Sequence, residues 1–169
     1  TMSDTQNNRR PVVARSSTWA RGSAAWLART CISPNQISVI SVFFAGAGAA
    51  LLCFHPSPAG LIGCALAIQG RLLCNLLDGM VAVEGGKKSV LGQLYNEFPD
   101  RIADSLLVVA LGHAAGVPAI GWLGALAAAL TAYVRVFGGA LGLAQSFRGP
   151  MAKQHRMAVM TSACVLGAA

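Results

Sequence analysis

What most constrains this chain is where charge is missing. From Asn35 to Gly70 there is no Asp, Glu, Lys or Arg, and only His55-Pro56-Ser57-Pro58 interrupts the apolar run. A second uncharged stretch extends from Ser105 to Val134. A helix that crosses a bilayer needs about 20 mainly apolar residues, and within lipid the backbone must satisfy its own hydrogen bonds, which favours helices. The two stretches and their flanks predict spans near 36–55, 59–83, 90–115 and 118–145. A fifth begins around Met151 and is still apolar at Ala169, so the chain reads as C-terminally incomplete. Only 11% of the 169 residues are charged, against about a quarter in soluble domains. The expected fold is therefore all-α, a polytopic transmembrane helical bundle with about five membrane helices present.

The charges that do occur set an orientation. Lys and Arg number 13 against six Asp and Glu, and in so apolar a chain the excess points to a membrane face and its lipids, with no nucleic acid as partner. Arg9, Arg10, Arg15, Arg21 and Arg29 precede the first span; Lys87 and Lys88 follow the second; Arg148, Lys153 and Arg156 follow the fourth. The turns at His55-Pro56 and His113-Gly116 have no Lys or Arg. The positive-inside rule then places the N-terminus in the cytoplasm, and in a bacterium the protein in the inner membrane. No cleavable signal peptide is read in the first 15 residues, which are polar. Residues 1–34 read as a basic tail with a juxtamembrane amphipathic helix over Thr18–Thr30, anchored in the interface by Trp19, Trp26, Arg21 and Arg29. Residues 35–169 read as the transmembrane domain, its first helix capped by Ser33-Pro34-Asn35. Cys31, Cys53, Cys64, Cys74 and Cys164 are widely spaced, mostly within apolar runs, and read as buried small hydrophobes.

Against this background the acids stand out. Asp78, Glu84, Glu97, Asp100 and Asp104 are five of the six. Glu84 is assigned to a loop and the rest to apolar helices, where a charge is costly and marks function. Arg71, Arg101 and Arg135 are embedded likewise. Asn75 and Asp78 are i,i+3 and share a helix face; Asn96, Asp100 and Asp104 share a face of the next helix. An antiparallel pair of these helices brings the carboxylates to one level, with Arg135 at the same level. Such oxygens make a site for a hard divalent cation, Mg²⁺ or Mn²⁺. An internal salt-bridge network accounts for Glu97 with Arg101. It accounts less well for three aspartates, which nearby arginines cannot readily neutralise.

The pattern resembles the CDP-alcohol phosphotransferase family, whose signature D-x2-D-G-x2-A-R-x8-G-x3-D-x3-D spans two transmembrane helices. Its first part stands as Asn75-Leu-Leu-Asp78-Gly79-Met-Val-Ala82-Val83, its second as Asp100-Arg-Ile-Ala-Asp104. The Ile32-Ser33-Pro34-Asn35-Gln36-Ile37-Ser38 segment is also similar to the family's N-terminal region. The resemblance implies six membrane helices and a catalytic transmembrane domain over 35–169. It implies phospholipid biosynthesis: transfer of a phosphatidyl-type group from a CDP-linked lipid, such as CDP-diacylglycerol, to an alcohol, with release of CMP. It further implies two divalent ions (Mg²⁺ or Mn²⁺), and dimers are usual in the family. Asp78 and Asp100 match metal ligands, with Asn75 a weaker one; Asp104 matches the general base; Gly79 and Ala82 match the small residues that let the nucleotide approach. Arg135, Lys153 and Arg156 are the candidates for an acceptor's phosphate. Asn75 stands where the family has Asp, and Val83 where it has Arg. Counted strictly from Ala82, Asn96 becomes a metal ligand and Asp100 the base, whereas local sequence favours Asp100 and Asp104 in the acid positions.

Two other readings compete. A transporter or ion relay would use the same intramembrane carboxylates and pass solute without binding nucleotide. An inactive relative would bind the CDP-lipid without turnover. Within the enzymatic reading, the alcohol can equally be on the CDP with diacylglycerol accepting.

Overall fold

The computed structural model describes residues 17–30, 32–84, 92–143 and 152–169. Six helices occupy most of them: α1 (Thr18–Ala28), α2 (Pro34–Phe54), α3 (Pro58–Glu84), α4 (Gly92–Ala114), α5 (Pro118–Ala140) and α6 (Lys153–Ala168). Among the described residues there is no strand, and the fold is an all-α bundle. Proline opens α2, α3 and α5, at a position whose N–H has no helical partner in any case. Ser33 caps α2 through a reciprocal pair: its Oγ accepts from the Gln36 amide at 3.2 Å while Gln36 Oε1 accepts from the Ser33 amide at 2.8 Å.

Among the described residues three helices are long and apolar enough to cross a membrane: α2, α3 over Pro58–Val83, and α5. The expected fourth, α4, has the length at 23 residues but not the hydropathy. Glu97, Asp100 and Arg101 fall in its first half and Asp104 just past its middle. Phe43, Leu66, Trp122 and Val134 face outward, a surface suited to lipid. Two boundaries differ from expectation. Helix α5 stops at Ala140, short of 145, because Gly142 adopts a left-handed φ of 80° and Leu143 N–H turns back to the Gly138 carbonyl at 3.0 Å. Glu84 is the last residue of α3 rather than part of a loop.

Packing is led by α2, which lies against both α3 and α4; α5 packs on α4, and α6 and α1 pack on α3. The seams are lined by small residues: Ala45 and Ala49 of α2, Ala65 of α3 and Ala103 of α4, which let helices approach closely where no hydrophobic effect drives them together. The antiparallel α3/α4 pair expected from sequence is looser than that. These two are not among the closely packed pairs, and near the acids they meet through long side chains. Helix α1 buries Ala20 and Ala24 against Met80 and Val81 of α3 and leaves Trp19 and Trp26 outside. Cys64 and Cys164 are buried as expected, but Cys53 is exposed on the last turn of α2 and Cys74 is half-buried. Cys31, Arg9, Arg10, Arg15, Lys87, Lys88 and Arg148 lie outside the described residues.

Candidate functional site

Three helices deliver charged side chains to one buried place. From α3 come Arg71, Asn75 and Asp78, successive turns of one face. Helix α4 contributes Asp100 and Asp104, again one turn apart, and α6 contributes Lys153 and Arg156 from its first turn. Arg71, Asp78, Asp100, Asp104, Lys153 and Arg156 are all buried. Asp78 stands less than two turns before the end of α3 and Asp100 little more than two turns into α4, so both lie about 9–12 Å from the same end of the bundle.

The contacts are specific. Asn75 Nδ2 donates to Asp100 Oδ1 at 3.1 Å. Lys153 Nζ donates to the same oxygen. Arg71 Nη2 donates to Asp104 Oδ1 at 2.6 Å and lies 3.3 Å from both Asp100 Oδ1 and the Asp100 carbonyl. Arg156 Nη2 takes the other oxygen of Asp104 at 2.6 Å. Ser38 of α2 donates to Asp78 Oδ2 at 2.6 Å. Asp100 and Asp104 are thus ion-paired while Asp78 is not, so of the three aspartates that nearby arginines were not expected to neutralise together, two find cations, and two of the three cations arrive on α6.

Not every candidate joins the cluster. Asn96 is exposed on the first turns of α4 and makes no hydrogen bond to it among the described residues. Arg135 donates to Glu97 Oε2 at 2.6 Å, and Arg101 lies 3.7 Å from the same carboxylate; this second network runs between α4 and α5. Gly79 and Ala82 are half-buried on α3, and Val83 is exposed. Ser38 had not been singled out, and Arg71 had been noted only as embedded. The signal for Arg71 was its position one turn before Asn75, on the same face.

The residues that could take a divalent cation are Asp78, Asp100 and Asn75. Asp78 is 5% exposed, and among the described residues it makes no ion pair within 4 Å. Its donors, the Ser38 hydroxyl and the Gly79 backbone N–H, are neutral, and a buried carboxylate so served calls for positive charge. Arg101 Nη2 lies 3.9 Å from Asp100 Oδ2, and the Asn75 amide has a neutral oxygen. Among the described residues no three acidic, His or Cys side chains converge as a metal site, and both oxygens of Asp104 are taken by guanidinium groups. No protein-family model matches the chain, and no curated protein matches it significantly.

Proposed function

We propose that the protein transfers a phosphatidyl-type group from a CDP-linked lipid such as CDP-diacylglycerol to an alcohol, releasing CMP. The observation that supports this reading is the contact between the two halves of the signature, Asn75 Nδ2 on Asp100 Oδ1 at 3.1 Å; Arg71, one turn before the signature, also reaches Asp104 at 2.6 Å, although the two backbones stay apart.

In this reading Asp78, Asp100 and Asn75 hold the divalent cation, which when bound neutralises the donor's pyrophosphate and favours departure of CMP. Gly79 and Ala82 leave room for the nucleotide beside α3. Asp104 accepts the proton of the attacking hydroxyl. Its burial at 1% exposure keeps water from competing for that proton. The exposure of Asn96 supports Asp100 and Asp104, rather than Asn96 and Asp100, as the acid pair. The end of the bundle that carries the site faces the cytoplasm, where nucleotides are made.

The test is CMP release from CDP-diacylglycerol by the purified protein with Mg²⁺ or Mn²⁺ and a panel of alcohols. Asp104→Asn should lower kcat by about 10²–10⁴-fold, the range a general base contributes. Folded protein that releases no CMP with any alcohol sinks the proposal.

A further inference from the structure

Helix α1 has little of its own to hold it in place. It is 11 residues long, and isolated helices below about 12–15 residues are marginal in water. Gly22 and Ser23 at its centre are weaker helix formers than alanine. Its grip on the bundle is small: Ala20 and Ala24, both 0% exposed, rest with Leu27 on Ile37, Met80 and Val81. The larger side chains point away. Trp19 is 55% and Trp26 67% exposed, and Arg21 and Arg29 are exposed. At 3.6 residues per turn the two indoles share one flank of the outward face and Arg21 takes the other, with Thr18, Gly22 and Ala25 between. The glycine leaves open space there, beside a hollow of about 370 Å³ lined by Gly22, Ser23, Trp26 and Leu27.

Charge says what covers this face. From Thr5 to Leu77 the sequence has no Asp or Glu, while Arg9, Arg10, Arg15, Arg21 and Arg29 all precede Thr30. On α3 beneath, Asp78 is buried against Ser38, and among the described residues Glu84 forms no ion pair with Arg21 or Arg29. Indoles settle at the bilayer interface and arginines on lipid phosphate. A basic face without acids is drawn to a surface of net negative charge, which zwitterionic lipid does not offer.

We propose that α1 docks on anionic phospholipid and that this docking holds it on α3. The apolar cluster that α1 joins includes Cys74, Leu76, Leu77, Met80 and Val81 of α3, and so brackets Asp78 and Gly79. Lipid that seats α1 thereby steadies the part of α3 that carries the candidate site. The docking stands apart from the transfer reading; its effect on the rate rests on that reading.

The test uses the full protein in nanodiscs of phosphatidylcholine alone or mixed with phosphatidylglycerol. Amide hydrogen exchange of α1 should slow about tenfold or more in the anionic discs, since each arginine near such a surface contributes about fivefold; α5 should exchange alike in both. High salt should shrink the difference, and Arg21→Gln combined with Arg29→Gln should abolish it. With CDP-diacylglycerol held constant, CMP release should rise severalfold in the anionic discs. The double variant should keep the rate seen in neutral discs and lose the rise. Equal exchange of α1 in both discs, or slowing that survives in the double variant, overturns the proposal. Equal slowing in neutral discs by soluble glycerol phosphate also overturns it, assigning the arginines to a free phosphate. Slowed exchange with an unchanged rate overturns the coupling to the site. Absence of CMP release in every disc removes the transfer reading, and the exchange measurement still decides the docking.

Discussion

The Ser38 hydroxyl has one proton and two acceptors within reach, the Pro34 carbonyl at 3.2 Å and Asp78 Oδ2 at 2.6 Å. The shorter contact takes the proton, and it is the one side-chain hydrogen bond that reaches Asp78 among the described residues. Ser38→Ala leaves that carboxylate short of a donor in a buried place, which costs about 1–3 kcal/mol. Ser38→Thr keeps the hydroxyl. Thermal unfolding in detergent should show Ser38→Ala clearly below wild type and Ser38→Thr close to it; equal melting of all three would show that the hydrogen bond contributes nothing. The aspartates were legible from sequence because i,i+3 and i,i+4 spacing puts side chains on one helix face. Their partners were not. Asp100 and Asp104 receive Lys153 and Arg156 from a helix some fifty residues further along, and no local periodicity says which helices dock together.

At the level of elements, α4 and α5 meet where neither has a side chain. A Cβ added at Gly112 would lie 2.5 Å from the Gly121 Cα, and one added at Gly121 would lie 3.0 Å from the Gly112 Cα. Backbone faces backbone, so neither can yield without the helices separating. Gly112→Ala should therefore destabilise the protein by about 1–3 kcal/mol, the usual range for overpacking. Gly46→Ala, with nothing within 4 Å of the new Cβ, should be neutral or stabilising by up to about 1 kcal/mol, since alanine is the better helix former. If both variants melt alike, the close crossing is not holding α5 in place. Helix positions were nearly all readable in advance because charge, proline and glycine mark their ends. The exceptions have local causes: the left-handed Gly142 that stops α5 early, and the charges of α4 that remove it from the apolar spans.

For the whole molecule, the remaining step is from bundle to membrane. The turn between α2 and α3 holds His55, Pro56 and Ser57, and that between α4 and α5 runs from Ala115 to Val117, without a Lys or Arg in either. In sequence Lys87 and Lys88 follow α3 and Arg148 precedes α6, which Lys153 opens. The charge asymmetry is one-sided over short connections, the regime in which it governs insertion. Alkaline phosphatase fused after Ser57 or Ala115 should be exported and active; fused after Lys88 or Pro150 it should stay inside and be inactive. The site adds a second demand on the same orientation. Asp78 and Asp100 lie about 9–12 Å from the basic end at the 1.5 Å helical rise, and Lys153 reaches Asp100 from that end. The nucleotide-bearing donor of the proposed transfer is too polar to cross the bilayer, so on that reading it arrives from the face toward which the cluster is displaced. Activity of the fusions at Lys88 and Pro150, with silence at Ser57 and Ala115, would turn the cluster away from the cytosolic nucleotide supply and leave the proposed transfer without its donor.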